Sequence, residues 1–84
     1  MTLEEIRERL SALDAQLLTL VAERQRLSRE VAEAKRASGR GTRDYQRERE
    51  VLMRARATAE SLNLSPDLAE SVMRLLIRGS LTTQ

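Results

Sequence analysis

Two cationic residues, Arg24 and Lys35, stand at positions from which they could bind one small anion. Arg24 lies between Leu20 and Leu27 in a helical apolar pattern, where the pattern calls for an apolar residue. A buried arginine is costly unless an anionic group meets it. Lys35 follows eleven residues later. That spacing is close to three helical turns, so both side chains project from nearly one face, about 16 Å apart. The pair therefore predicts a site that binds opposite ends of a small anion.

Each of these cations also has a purely structural interpretation. Arg24 could form an ion pair with Asp14 or Glu48, or it could extend past the apolar face into solvent. Lys35 lies near the end of a predicted helix, where a cation ordinarily compensates the helix dipole. The two residues taken alone leave both interpretations open.

Further polar residues that could bind a ligand or take part in a reaction lie at the start of the second predicted helix and at the end of the third. Asp44, Arg47 and Glu48 fall in the first turns of the second helix, and Glu48 shares its apolar side. Ser80 and Gln84 are four residues apart and share a face of the third helix. The alternative for the second helix is a helix cap followed by solvated charges. The alternative for the end of the third helix is a frayed polar tail.

The composition excludes several kinds of chemistry. The 84 residues include one Tyr and no Cys, His, Trp or Phe. A Ser-His-Asp or Cys-His mechanism, a disulfide and a cysteine zinc site are therefore excluded. The formal charge is only +2, and the interspersed charges and the lack of aromatic residues argue against nucleic-acid binding. No apolar run approaches membrane-spanning length and the start has no signal-peptide pattern, so we expect a cytoplasmic protein with no membrane partner.

Three helices must position these residues, and the sequence predicts an all-α fold. Apolar residues at alternating three- and four-residue steps indicate a very long first helix. A Gly-rich loop follows, after which Asp44 is a good N-cap and Pro66 suits the first position of a last helix. The predicted bounds are helix 1 over 2–38, a loop over 39–43, helix 2 over 44–61 and helix 3 over 66–83, in one domain over 1–84.

The first helix is too long for a compact chain of this size. About 36 residues span roughly 54 Å, whereas a globule of this chain length measures only about 30 Å across. The other two helices are too short to cover its apolar face, so we predict an intertwined, helix-exchanged homodimer. Arg7 precedes Arg24 by seventeen residues, which is about 25 Å along one helix. In an antiparallel dimer, Arg7 of one chain can approach Arg24 of the other.

Three segments and two late polar residues follow the pattern of a known family. The segments are IRERLSALDAQLLTLVAERQRL, VAEAK and RDYQRERE. With Ser80 and Gln84, they make the chain resemble the all-helical chorismate mutases, the AroQ class, from Leu3 to Gln84. The resemblance implies an intertwined three-helix dimer with two equivalent sites. The site residues that it implies are Arg7 from the partner chain and Arg24, Lys35, Asp44, Arg47, Glu48, Ser80 and Gln84 from the home chain.

The resemblance implies the conversion of chorismate to prephenate in aromatic amino-acid biosynthesis, by an intramolecular 3,3-sigmatropic (Claisen) rearrangement. Such a step needs no nucleophile, metal or cofactor, and the resemblance implies none. It needs a flexible dicarboxylate held in a reactive shape and stabilised charge at the breaking C–O bond. By resemblance, Lys35 and Gln84 contact the ether oxygen, and Glu48 with the backbone at Asp44 orients the ring hydroxyl. Arg24 is the remaining catalytic contact that the resemblance implies.

The implied binding residues suit a dicarboxylate. Arg7, Arg24 and Arg47 carry fork-shaped donors that match carboxylates, and by resemblance Ser80 helps to hold a carboxylate. Gln84 does not titrate, so we expect activity to persist from neutral to mildly alkaline pH.

Two other functions stay open. Isochorismate pyruvate lyase is similar to this family in its fold and cationic pocket, but it eliminates pyruvate from its substrate. It lacks the complete Asp-x-x-Arg-Glu pattern that is present here at Asp44, Arg47 and Glu48. A non-catalytic helical dimerisation module would explain the regular apolar spacing of the first helix but not the presence of Arg24 within it. The chain is compatible with a free-standing enzyme and with part of a fused protein. Arg40 and Arg43 in the loop either steer an anionic substrate or are solvated.

Overall fold

The computed structural model describes residues 1–39, 41 and 43–82, and this part of the chain forms three helices. Helix α1 spans Leu3–Ala37, α2 spans Tyr45–Ser61 and α3 spans Pro66–Thr82. The prediction of an all-α fold with a very long first helix is confirmed. Thr2, Ser38 and Asp44, which the sequence analysis counted within helices, are the residues that cap them.

The long first helix is closed at both ends by local hydrogen bonds. The Thr2 hydroxyl accepts from the backbone N–H of Glu5 at 3.1 Å, and the Glu5 carboxylate accepts from the Thr2 backbone N–H at 3.4 Å. This capping box satisfies N–H groups that have no partner within the helix. At the other end, Gly39 adopts φ +76°, a conformation that glycine adopts without strain. Lys35 and Arg36 in the last turn oppose the negative end of the helix dipole.

The ends of α2 follow from the residues at its borders. The Asp44 carboxylate accepts from the Arg47 backbone N–H at 3.1 Å and caps the start of the helix. Asn63 adopts φ +55°, and asparagine is one of the few non-glycine residue types that tolerate this region. The turn that it makes lets the Leu64 N–H donate to Ala59 at 2.9 Å, which ends the helix. Leu62, the residue after the last turn, is the exposed C-cap.

A network of ion pairs joins α2 to α3. Arg56 donates through Nη1 to Asp67 at 2.9 Å and to Glu70 at 3.2 Å, and Arg74 donates through Nε to Glu70 at 2.9 Å. The hydrogen bond with Asp67 is the largest of the contacts that raise the pKa of Arg56 above its usual value. Arg56 of α2 thus contacts two carboxylates of α3, Asp67 and Glu70, so the network favours one register of the two helices.

The helices leave most of the apolar surface uncovered. The described part of the chain measures 55 × 23 × 17 Å, and α3 packs against α2 and, less extensively, against α1. Ala32 on α1 and Ala59 on α2 are the buried apolar residues within the described ranges. The regularly spaced apolar residues of the N-terminal half of α1 are exposed: Leu3, Ile6, Leu10, Leu13, Leu17 and Leu20. We call these six residues the apolar face of α1.

Membrane insertion finds no support in these helices. In the ranges searched, which are those the structure describes, no helix is both long enough and apolar enough to cross a bilayer.

Candidate active site

Residues from all three helices line one cavity beside the C-terminal part of α1. Its volume is about 210 Å³, below the roughly 300–1,000 Å³ of typical ligand pockets. The start of α2 and the end of α3 supply the other walls. Six of the eight residues implied by the family resemblance line this cavity: Arg24, Lys35, Asp44, Arg47, Glu48 and Ser80.

The two cations of α1 face the cavity together. Arg24 and Lys35 are both half-buried and both line it, with Ser28 and Val31 on the same face between them. Neither cation forms an ion pair with a carboxylate among the described residues. Partly buried cations without such partners favour binding of an anion from outside the chain.

The structural alternative for Arg24, an ion pair with Asp14 or Glu48, is wrong for the described residues. Asp14 lies on the exposed N-terminal half of α1, and Glu48 is paired with Arg43. The sequence could not reveal this competition, because it depends on how the loop brings Arg43 back towards α2.

The start of α2 contributes two residues with different constraints. The Asp44 side chain is engaged in capping the helix, and Asp44 also lines the cavity. The nearest acidic partner of Arg47 is Glu50, with Nη1 and Oε2 separated by 3.7 Å. That distance is longer than in a good charged hydrogen bond. The Arg47 guanidinium can therefore turn towards an anion with little loss of interaction free energy.

Glu48 is held by a residue that sequence reasoning did not assign to it. Arg43 donates through Nε and Nη2 to the two carboxylate oxygens of Glu48 at 3.0 and 3.1 Å. The hydrogen bonding of Arg43 to the Glu48 carboxylate is the main cause that raises the pKa of the Arg43 guanidinium. Arg43 also lies over the Tyr45 ring, 4.4 Å from its centroid. The sequence analysis left Arg43 as either a steering or a solvated residue, and the structure pairs it with a cavity carboxylate.

Ser80 reaches the cavity from the end of α3. Its hydroxyl lies 2.8 Å from Oε1 of Gln25 on α1 and 3.0 Å from the backbone oxygen of Leu76. A Cβ at Gly79 would stand 2.9 Å from Nε2 of Gln25, so a larger residue there would make the end of the Gln25 side chain shift. Sequence reasoning missed Gln25. Its position next to Arg24 was the available signal, but the 55-residue separation from Ser80 hid the contact.

One predicted site residue, Arg7, does not line this cavity in the described part of the chain. Arg7 is exposed on the N-terminal half of α1, about 25 Å along the axis from Arg24. Gln84 lies outside the described residues, as does Arg40 of the loop.

The charge balance of the cavity suits a doubly negative ligand. Four cationic and two anionic side chains line it, an excess of two positive charges. Arg43 and Glu48 neutralise each other, and Asp44 is engaged as a cap. The cations that remain are Arg24, Lys35 and Arg47. In the ranges that the structure describes, no cluster of three or more acidic side chains could hold a metal ion.

An apolar groove continues from the cavity along α2 and α3. Its volume is about 600 Å³, and Arg24 and Arg47 line it as well as the cavity. Its remaining wall is mostly apolar and includes Leu17, Val51, Ala55, Leu64, Leu68, Val72 and Met73. A helix lying in this groove would therefore reach the edge of the cavity.

The three helices and the cavity all fall within one family match. The family model for chorismate mutase type II matches residues 6–84 of this chain. The chain belongs to the chorismate mutase type II family. The match begins before Arg7 and includes every residue that lines the cavity.

Several named relatives extend the family assignment. The chain is 40% identical over 79 residues to the bifunctional chorismate mutase/prephenate dehydratase of Escherichia coli K12, covering 94% of this chain and 20% of the relative. It is 30% identical over 82 residues to the chorismate mutase of Methanocaldococcus jannaschii, covering 98% of this chain and 83% of the relative. The T-protein of Enterobacter agglomerans is 37% identical over 82 residues, covering 98% of this chain. The chain thus spans about a fifth of the length of the bifunctional relatives, 20% in the E. coli protein.

Proposed function

We propose that this chain converts chorismate to prephenate, the reaction that the family name describes. The observation that carries the proposal is the convergence of six predicted residues from three helices on one cavity with an excess of two positive charges. Chorismate is a dicarboxylate of matching charge. Its rearrangement is an isomerisation in which one C–O bond breaks as one C–C bond forms, so no group enters or leaves.

Binding is proposed to supply much of the catalysis. A flexible substrate must be held with its side chain folded over the ring, and fixing that conformation lowers the entropic part of the barrier. Arg24 and Arg47 provide fork-shaped donors for carboxylates, and both lie at the junction of the cavity and the apolar groove. The Ser80 hydroxyl is proposed to help hold a carboxylate.

Charge stabilisation is proposed at the breaking C–O bond. Negative charge grows on the ether oxygen in the transition state, and fixed donors aimed at that point favour it over the ground state. Lys35, a half-buried cation on the cavity wall, suits this role. Gln84 is proposed as a second, neutral donor to the same oxygen.

The ring hydroxyl is proposed to bind at the start of α2. Glu48 offers carboxylate oxygens that accept a hydrogen bond, and Asp44, whose backbone is the proposed second contact, also lines the cavity. Contacts to the hydroxyl orient the ring relative to the cations on α1. Arg24, Lys35, Glu48 and Gln84 are thus the proposed catalytic contacts.

The working form is proposed to be an intertwined homodimer with two sites. The apolar face of α1 is exposed in the single chain, and its removal from water on association would supply a large favourable free energy. The apolar groove offers a surface of matching character next to the cavity. If α1 of a second copy runs antiparallel along it, the partner's Arg7 reaches the open side of the cavity and adds a third carboxylate donor.

The proposal extends to the context of the protein. The chain spans only 20% of the bifunctional relative from E. coli, so the proposal covers the mutase reaction and not the other activity in that relative's name. We infer that the domain acts in the biosynthesis of phenylalanine or tyrosine, in the cytoplasm.

The proposed reaction is tested by incubating the purified chain with chorismate without any cofactor. Loss of chorismate with stoichiometric formation of prephenate is the expected result. Rapid release of pyruvate from isochorismate would favour the lyase instead. The presence of Asp44, Arg47 and Glu48 together favours the mutase over the lyase. No turnover of either compound by a folded dimer would indicate a non-catalytic dimerisation module.

A further inference from the structure

Glu48 and Arg43 form a fixed pair at the cavity wall. Both oxygens of the carboxylate are engaged, at 3.0 Å from Arg43 Nε and 3.1 Å from Arg43 Nη2. The Glu48 side chain is 21% exposed and that of Arg43 is 45% exposed. Both residues line the cavity, and the Glu48 side chain is the less exposed of the two.

The fork geometry constrains more than distance. A glutamate side chain has three rotatable bonds, and a single hydrogen bond leaves its carboxylate free to rotate. Two parallel hydrogen bonds from one planar guanidinium fix both the position and the plane of the carboxylate. An ionised carboxylate accepts at about four lone-pair positions. Arg43 occupies two, so acceptor capacity remains for a donor within the cavity.

Arg43 is itself restrained from a second direction. Its guanidinium carbon lies 4.4 Å from the centroid of the Tyr45 ring, within the range of a cation–π contact. Tyr45 is the first residue of α2. The side chain of Arg43 is thus held by the same helix whose Glu48 it binds, so the pair is set before a ligand enters.

We propose that Arg43 is a positioning residue, which orients the Glu48 carboxylate so that it can accept a hydrogen bond from the hydroxyl of the substrate. Arg43 acts through Glu48 and does not contact the reacting atoms. This inference rests on the proposed mutase function and deepens it by adding a residue outside the set that the family resemblance implies.

The test is a double-mutant cycle on the full chain. We would measure kcat and KM for chorismate in the unmodified chain, Arg43→Ala, Arg43→Lys, Glu48→Gln and the combination of Arg43→Ala with Glu48→Gln. Loss of hydrogen bonds to a charged group predicts a fall of roughly tenfold in kcat/KM for Arg43→Ala. Arg43→Lys should recover only part of it, because an ammonium restores the charge without the two-atom fork. In the Glu48→Gln background, Arg43→Ala should change kcat/KM by less than about twofold.

A matched control separates positioning from the general effect of charge. Arg36→Ala removes one exposed cation from the last turn of α1 that does not line the cavity. It should leave kcat/KM within about twofold, because solvent and salt screen an exposed charge. An equal fall for Arg36→Ala and Arg43→Ala would contradict the proposal. So would full recovery by Arg43→Lys, or an equal effect of Arg43→Ala with and without Glu48.

A readout independent of turnover keeps this inference distinct from the proposed function. In the ligand-free chain, the Arg43 Nε–H signal in a ¹⁵N NMR spectrum should move in Glu48→Gln and stay in place in Glu50→Gln. A chain inactive on chorismate would overturn the proposed function, and with it a role in that reaction. An Arg43 signal that is insensitive to Glu48→Gln would overturn the pairing itself, whether or not the chain is active.

Discussion

The hydroxyl of Ser80 lies 2.8 Å from Oε1 of Gln25, and this contact ties the end of α3 to the middle of α1. Both side chains are half-buried, and Gly79 lies next to the Gln25 side chain. The cavity wall formed by α3 therefore depends on a residue of α1 that does not itself line the cavity.

Removal of the Gln25 amide should loosen this wall. We expect Gln25→Ala to lower kcat/KM for chorismate by several-fold to about tenfold, because Ser80 loses a partner that fixes its side chain. Gln16→Ala removes the same type of side chain from an exposed position on the opposite side of α1; it is the control and should have nearly the activity of the unmodified chain. Steady-state kinetics on both variants is the measurement, and equal activity of Gln25→Ala and the unmodified chain would contradict the expected role.

Arg24 separates a catalytic cavity from a dimerisation module. We expect Arg24→Ala to reduce kcat/KM by more than about 100-fold, since a charged contact to a bound carboxylate is lost. The dimer should persist, because the described residues provide no acidic partner that would be stranded. Kinetics and analytical ultracentrifugation of the same preparation check the two expectations. Unchanged activity with a more stable dimer would fit a purely structural role instead.

The apolar face of α1 should be the dimer contact. Leu13, near the middle of this face, is exposed in the single chain. Leu13→Glu would bury a charge in an apolar interface, so we expect the dimer dissociation constant to rise by more than about 100-fold. Ala15→Glu adds the same charge to an exposed position on the opposite side of the helix and should leave the dimer intact. Sedimentation at several protein concentrations distinguishes the two, and dissociation in neither variant would argue against this interface.

Glu70 should make stability dependent on pH. Its hydrogen bond from Arg74, and next that from Arg56, lowers the pKa of the Glu70 carboxyl, although desolvation acts in the opposite direction. Because the folded-state pKa is the lower one, the contribution to stability is present above the unfolded-state pKa, about 4.3 for glutamate. It is lost as the pH falls through the folded-state pKa.

The expected result for Glu70→Gln is a lower melting temperature at neutral pH and a smaller difference near about pH 3. Glu60→Gln is the control, since Glu60 is exposed and has no ion pair with another described residue. Thermal melts at one fixed protein concentration check this, because association also shifts the melting temperature. A constant difference between Glu70→Gln and the unmodified chain at all pH values would contradict the assignment.

Local signals in the sequence predicted much of the fold. Asp44 as an N-cap and Pro66 as the first residue of α3 follow from backbone chemistry that acts within a few residues. Helical spacing alone also places Arg24 and Lys35 on one face. These features depend on one helix at a time, which is why sequence reasoning reached them.

Contacts between helices could not be predicted in the same way. The pairing of Arg43 with Glu48 depends on the path of a short loop, and the contact of Gln25 with Ser80 joins residues 55 positions apart. Neither leaves a periodic pattern in the sequence. The proposed place of Arg7 depends on a second chain, so it was reached through the length of α1 and the family resemblance.

The most direct test of the central claim is restoration of activity by mixing two inactive variants. Arg7→Ala and Arg24→Ala would be unfolded, combined in equal amounts and refolded together. If each site takes Arg24 from one chain and Arg7 from its partner, each mixed dimer contains one intact site. Random pairing then predicts about a quarter of the unmodified activity. A mixture that remains as inactive as either variant alone, although mixed dimers have formed, would contradict a site shared between two chains.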